Sequence, residues 1–198
     1  MAITMNKPAL AEVFGATEGS ALRIKQAVLV VLGIAALTIM AKIQVFLPNN
    51  PVPITLGTFG VLTIGAAYGA RLGLVTILGY LALGAMGATV FAGEKAGLTY
   101  MMGGTGGYLV GYVLATLALG YAARMGWDRN IGLMAVAMLV GNALIYVPGL
   151  LWLSGFAESW AQTLAWGITP FLIGDAIKLG LAALLLPAVW KLVGKARG

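Results

Sequence analysis

The feature that most constrains this chain is a series of long, almost uncharged apolar runs, at approximately residues 23–45, 56–68, 72–91, 106–123, 131–153 and 168–192, each followed by Gly, Pro or charge. In hydrocarbon every backbone donor and acceptor must be paired inside the segment that carries it, so runs of this length are helices and not strands. A span needs about 20 apolar residues, and six with short connections use up the 198 residues available. The expected fold is therefore all-α: one transmembrane domain over 1–198, a polytopic bundle of six helices in the lipid bilayer, with no room for a separate soluble module. With 61% apolar and 9% charged residues, against about 25% charged in soluble domains, the chain could not stay dispersed in water. The first twenty-two residues mix polar and apolar types, with Glu12 and Glu18 among them, and do not read as a cleavable signal peptide.

Two segments depart from the pattern. The run at 56–68 falls short of a hydrocarbon core about 30 Å thick at about 1.5 Å of rise per residue, so it tilts little or reaches only partway. Before it stand Pro48, Pro51 and Pro53, which lock three φ angles and remove three amide donors. That stretch is expected to be an ordered, non-helical loop, the natural lid of any outward-facing site.

Sidedness follows from the cations. Lys7, Arg23, Lys25, Arg71, Arg124, Arg129, Lys191, Lys195 and Arg197 fall on one side of the alternating connections, Lys42 and Lys95 on the other, and Lys178 inside the last span. The positive-inside rule puts the first set, with both termini, in the cytoplasm. The proline loop, the segment 92–105 and the connection 154–167 then share the outer face. Trp152, Trp160 and Trp166 around that last connection read as rings at the headgroup level. Gly65 with Gly69, Gly103 with Gly107, and Gly107 with Gly111 stand four apart, a spacing that lets helices approach closely.

The absence of Cys and His removes zinc sites, thiol nucleophiles, disulfides and imidazole relays. A membrane-embedded transferase or protease would need clustered acids, a nucleophile with its base, or a metal. Only Asp175 and Glu158 are acids near the membrane interior or its outer edge, so no catalytic residue, metal or cofactor is expected and the chain is not read as an enzyme. The Gly-rich stretch 103–107 holds Thr105 but lacks the Lys-Ser or Lys-Thr pair that ends a phosphate cradle, which leaves no visible energy source.

Asp175 and Lys178 carry the strongest functional signal. A charge near the bilayer centre costs about 2.5 to 3.5 kcal/mol on insertion scales, and these two lie about two turns inside the last run, three residues apart on one helix face. Two readings are open. One is an intrahelical ion pair that faces the bundle interior and holds helices in register; the other, favoured because intramembrane ionisable groups are functional by default, is a site for a neutral polar group that both donates and accepts. A second constellation is Lys95 and Tyr100 followed by Thr105, Gly107 and Tyr108, where glycines and a helix start offer main-chain amides to a carboxylate, or simply make a turn and a tight helix contact. Asn142, with Tyr146 four residues on, is expected to hydrogen-bond between helices, and Pro148 to kink its helix.

Several of these features occur in one order: Lys42 and Ile43 ahead of Pro48; Pro51, Val52, Pro53, Ile54, Thr55, Leu56; Val90 and Phe91; Thr105, Gly106, Gly107, Tyr108, Leu109, Val110, Gly111; and Gly174, Asp175, Ala176, Ile177, Lys178. Together they resemble the BioY family, the biotin-specific substrate-binding subunits of energy-coupling-factor vitamin transporters, over about 42–178. The resemblance implies six helices with cytoplasmic termini in the cell inner (cytoplasmic) membrane. Outer loops would close over one biotin, and partners would be a transmembrane coupling protein and cytoplasmic ATPase subunits; no nucleic-acid partner is implied. It also implies that Asp175 and Lys178 contact the ureido ring, and that Lys95, with Tyr100 and Thr105, makes polar contacts from the outer loop. Where the family often has Gly-Pro-Thr-Gly-Gly-Tyr this chain has Gly104 for the proline, and it has Gly57 where Gln is common. The Ala-x-x-x-Ala pattern by which such subunits meet the coupling protein is not formed by Ala27, Ala35, Ala36 and Ala41, and Gly33 with Ala36 is the nearest substitute.

Overall fold

The computed structural model describes residues 7–197, with side chains through 194. Residues 1–6 and 198, and the side chains of Lys195 and Arg197 counted among the cations above, lie outside the described part. The described chain is mostly helical. A single turn α1 (Leu10–Val13) precedes α2 (Gly19–Lys42), and two short strands, β1 (Gln44–Val45) and β2 (Ile54–Thr55), lead into α3 (Gly57–Ala85). After α4 (Gly97–Met101) come α5 (Gly106–Arg124), α6 (Ile131–Leu153), α7 (Trp160–Gly167) and α8 (Leu172–Arg197). Among the described residues five helical stretches are long and apolar enough to cross a membrane: Gly19–Lys42, Gly57–Ala85, Gly106–Arg124, Ile131–Leu153 and Trp160–Gly194.

The second of these is broken at Gly69, whose φ of 75° and ψ of 173° leave the helical region. A Cβ on Gly73 would sit 3.5 Å from the Cα of Gly65, whereas eight residues of unbroken helix rise about 12 Å. The two halves of α3 therefore double back on each other, and both Gly65 and Gly73 abut Thr116 of α5. Only glycine takes the required φ without strain. This reversal is where the sequence separates the runs 56–68 and 72–91. The second run, however, leaves the helix after Ala85 and turns Phe91 into the core, where it is 1% exposed.

Helix α5 packs between α3 and α6, α2 lies against α3, and α8 against α6. Close approach depends on bare backbone: a Cβ on Gly111 would lie 2.6 Å from the Cα of Ile145, and one on Gly107 2.2 Å from the carbonyl oxygen of Pro148. Small residues of this kind substitute for the hydrophobic driving force that lipid does not supply. Pro148 lies within α6 without ending it. The outward surfaces carry Ile24, Val31, Ile39, Leu139, Ile173 and Ile177, all more than half exposed, as a lipid-facing surface requires.

The all-α expectation needs one correction. The proline loop is not helical, as anticipated, but it is clamped by an antiparallel pairing of β1 with β2, Gln44 opposite Thr55 and Val45 opposite Ile54, and its tip turns at Asn49 with φ 56°. The residues 44–45 assigned to the first span belong to that pairing. A second feature that the apolar runs do not mark is α7, inside the connection 154–167. Ser159 caps it by accepting from the Gln162 amide at 3.2 Å, while the Gln162 side chain accepts from the Glu158 amide at 2.7 Å, a near variant of the reciprocal capping pattern.

At the opposite end the N-terminal segment is strapped across the bundle. Lys7 donates its amide to the Arg124 carbonyl at 3.2 Å, Arg124 pairs with Glu12, and Arg129 donates to the Pro8 carbonyl at 3.2 Å while lying 4.0 Å over the Trp190 ring. Arg124 and Arg129, both in the cytoplasmic set of cations, are thus engaged within the chain.

Candidate functional site

The last long helix begins at Leu172, after a 3-10 turn at Thr169–Phe171, so Asp175 sits in its first turn, one turn nearer the end than the sequence suggested. Lys178 follows one turn on. Their side chains are 9% and 11% exposed and form an ion pair at 2.9 Å. The pair is not confined to α8. The Lys178 ammonium also donates to the Thr55 carbonyl at 2.7 Å and the Thr58 hydroxyl at 3.3 Å. An ammonium has three protons, and these three partners use them all. The other carboxylate oxygen of Asp175 accepts from the Tyr146 hydroxyl of α6. One buried pair therefore ties α8 to α6, to the end of β2 and to the first turn of α3.

Beside it lies a cavity of about 50 Å³ whose lining includes Lys178, Thr55, Thr58, Tyr146, Tyr112 and Phe171. Tyr108 and Tyr112 stand four apart on one face of α5, and Thr105, at its N-cap, precedes Tyr108 by three residues. Tyr108 donates to the Gly167 carbonyl at 2.9 Å and meets the Tyr146 ring edge-on at 6.1 Å, and Tyr146 meets Phe171 at 6.4 Å. The opposite wall is Phe91, with Tyr100 stacked on it at 4.7 Å and Tyr80 edge-on at 5.3 Å. Burial pushes the Tyr100 phenol above its ordinary range, opposed in part by Thr105 and by the Ala92 backbone.

The cavity adjoins a wider hollow of about 840 Å³ at the same end of the bundle; Pro53, Ala92, Tyr100 and Thr105 line both. Lys95 is exposed on the wider hollow, with Lys42, Glu94 and Pro51. The hairpin roofs this region and is held on two sides. Asn50 donates to the Trp166 carbonyl at 3.0 Å, while Gln44 accepts from the Gly93 amide at 2.7 Å and Lys42 donates to the Gly93 carbonyl.

The structure thus brings Lys178, Tyr100, Thr105, Tyr108 and Pro53 to one cavity, with Asp175 bonded to two of its lining side chains. Lys95 and Pro51 stand on the outer hollow, and Pro48 is exposed and lines neither. Gly107 faces α6, not the cavity. Asn142 does not make the interhelical bond expected of it through Oδ1, which is buried with no partner among the described residues. Tyr146, Tyr112, Thr55, Thr58 and Phe171 are additions. Of these Tyr146 has a signal in the sequence as a polar ring deep in an apolar run, and Thr55 as part of the motif at 51–56; the rest arrive from other elements.

A bundle of long apolar helices whose loops roof an aromatic-walled cavity, with an ion pair buried at its edge, has the build of an integral membrane binding protein. The chain belongs to the BioY family, whose model matches residues 12–195. It is 33% identical to the probable biotin transporter BioY of Pyrococcus horikoshii, over 83% of this chain and 95% of that protein. It is 32% identical to the biotin transporter BioY of Thermotoga maritima, over 81% and 94%. The fold is that of a solved S-component for biotin from an ECF-type ABC transporter, with TM-score 0.76 at 22% identity over 88% of this chain and 95% of the other.

Proposed function

We propose that this chain is the membrane-embedded subunit that captures biotin at the outer face of the cytoplasmic membrane and passes it inward with a transmembrane coupling protein and cytoplasmic ATPases. The six sequence runs, with the reversal at Gly69, are read as six passes of a single domain with both termini cytoplasmic. That sidedness is supported by the clustering of Lys7, Lys25, Arg71, Arg124 and Arg129 away from the roofed end. The observation that carries the reading is the Asp175–Lys178 pair at the edge of the aromatic cavity. A ureido ring has two N–H donors and one carbonyl acceptor, matching a carboxylate and an ammonium by polarity. The aromatic faces suit its apolar body, and Lys95 on the outer hollow suits a carboxylate tail.

A cavity of about 50 Å³ is small beside the roughly 300 to 1,000 Å³ of ligand pockets. Binding therefore entails an outward swing of the hairpin, and Lys178 exchanges its bonds to Thr55 and Thr58 for bonds to the ligand. The test is equilibrium binding of labelled biotin to the purified protein in detergent, with riboflavin and thiamine as competitors. Saturable binding displaced only by unlabelled biotin is expected. Folded protein without saturable biotin binding would remove the vitamin assignment and leave a subunit or carrier for a different heterocycle.

A further inference from the structure

The described residues enclose a second large hollow, of about 770 Å³, at the end of the bundle away from the roofed site, between the N-terminal segment, the start of α2 and the part of α3 just past Gly69. Its lining is graded. At the charged end stand Lys25, Arg71, Arg124 and Glu12; deeper along the helices stand Leu29, Leu74 and Val75. Leu22, Lys25, Gln26 and Leu29 form one stripe of α2 at helical spacing, and the Tyr68 hydroxyl donates to the Leu29 carbonyl at 3.0 Å, joining the two helices at that depth.

The three cations are not equivalent. Arg124 is neutralised by Glu12, and Lys25 donates to the carbonyls of Phe14 and Ala16. Arg71 is exposed and has no hydrogen bond or ion pair among the described residues. We propose that this hollow is a binding site for an anionic phospholipid, with the headgroup phosphate on Arg71 and Lys25 and an acyl chain laid along Leu29 and Val75. Three features of the hollow support a lipid over a soluble ligand or a protein segment. The charge lies at one depth and the apolar surface at another, the net charge of the rim is positive, and Val75 is 55% exposed on the lipid-facing side. Basic hollows between membrane helices at the cytoplasmic face recognise anionic headgroups. The inference rests on the proposed sidedness and not on which vitamin is carried.

The test is native mass spectrometry of the full chain, with phosphatidylglycerol or phosphatidylcholine of identical acyl chains added at equal concentration. The wild type is expected to retain phosphatidylglycerol preferentially. Arg71→Ala should lower that retention about fivefold while phosphatidylcholine retention and biotin binding stay as they were. Val75→Trp, which fills the apolar part and leaves the charge, should lower retention of both lipids. Inorganic phosphate at the same concentration should not displace the lipid; displacement would mean an anion site without a lipid role and would overturn the proposal. Equal retention of the two lipids by the wild type, or an unchanged preference in Arg71→Ala that still binds biotin, would also overturn it. So would loss of a co-purifying membrane partner in Arg71→Ala with phosphatidylglycerol retention intact, which would make the hollow a protein-docking surface.

Discussion

The molecule buries two carboxylates, one near each end, and each accepts from an aromatic donor on another element: Asp175 from Tyr146, and Asp128 from the Trp190 indole. Their surroundings diverge from there. Asp175 has a cation on its second oxygen and borders a cavity. Asp128 is 1% exposed, its Oδ1 has no partner among the described residues, and Arg129 faces the Trp190 ring. Burial pushes the Asp128 carboxyl above the ordinary carboxylate range, more than Trp190, Arg129 and Lys7 pull it down. An acid with both oxygens bonded beside a cavity can trade a partner for a guest, whereas a half-satisfied acid sealed in a turn has no space beside it and ties only Trp190 to the turn. Burial and an aromatic partner alone do not mark a site; the difference lies in the completed pairing and the adjoining space.

The comparison breaks most visibly at the outer pair. Asp175→Asn and Lys178→Ala should each weaken biotin binding at least about 100-fold in equilibrium titration, because removing one partner of a buried pair costs about 3 kcal/mol or more; wild-type affinity in both would make Asp175 a tie between elements as well. Tyr146→Phe keeps the ring against Tyr108 and Phe171 and deletes one bond to a charged oxygen, a loss of about 1.5 to 3 kcal/mol. Roughly tenfold or greater weakening is expected together with a lowered unfolding midpoint, and a fall in stability without loss of affinity would reassign Tyr146 to packing. Lys95→Ala, at the exposed rim, should cost about two- to fivefold in Kd and flatten the salt dependence of the association rate, read by stopped flow.

Asp128→Asn should leave biotin binding unchanged. Its effect belongs to pH. A carboxyl raised in the folded state holds its proton more tightly there than in the unfolded chain, so its contribution to stability is full below the ordinary carboxylate pKa and declines as pH rises through the folded value. Thermal unfolding midpoints should fall with pH across that window in the wild type and fall less in Asp128→Asn. Identical pH profiles would mean that Asp128 carries no titrating load.

Much of the outer site could be read in the sequence because hydrocarbon makes polarity conspicuous: a carboxylate and an ammonium inside an apolar run have few innocent explanations. The interruption between residues 68 and 72 could be read because Arg71 stands there and the apolar pattern resumes beyond, whereas Gly69 itself reads only as a small residue four from Gly65. Three features were not legible from local pattern. The ladder of β1 with β2 is two residues per strand, too short for any periodicity. Helix α7 hides in a tryptophan-rich connection, its one cue being the Ser159 and Gln162 spacing. Gly107 stays open between ligand and helix contact in the sequence because glycine is equally the residue of close ligand approach and of close helix approach, and only coordinates show which neighbour is near.

What the sequence determined by itself was the solvent and its consequences: helices where the runs are apolar, an interruption between residues 68 and 72, and a charge pair with no place in lipid. Those follow from single segments, because backbone satisfaction and charge desolvation are local costs. Tertiary structure decided the partners. Thr55, Thr58 and Tyr146 reach Lys178 and Asp175 from elements far away in the chain, and whether Asn142 or Asp128 finds a second hydrogen bond depends on which helix packs opposite. Pairing between segments is set by shape and register across the bundle, and no stretch of sequence contains both sides of such a contact.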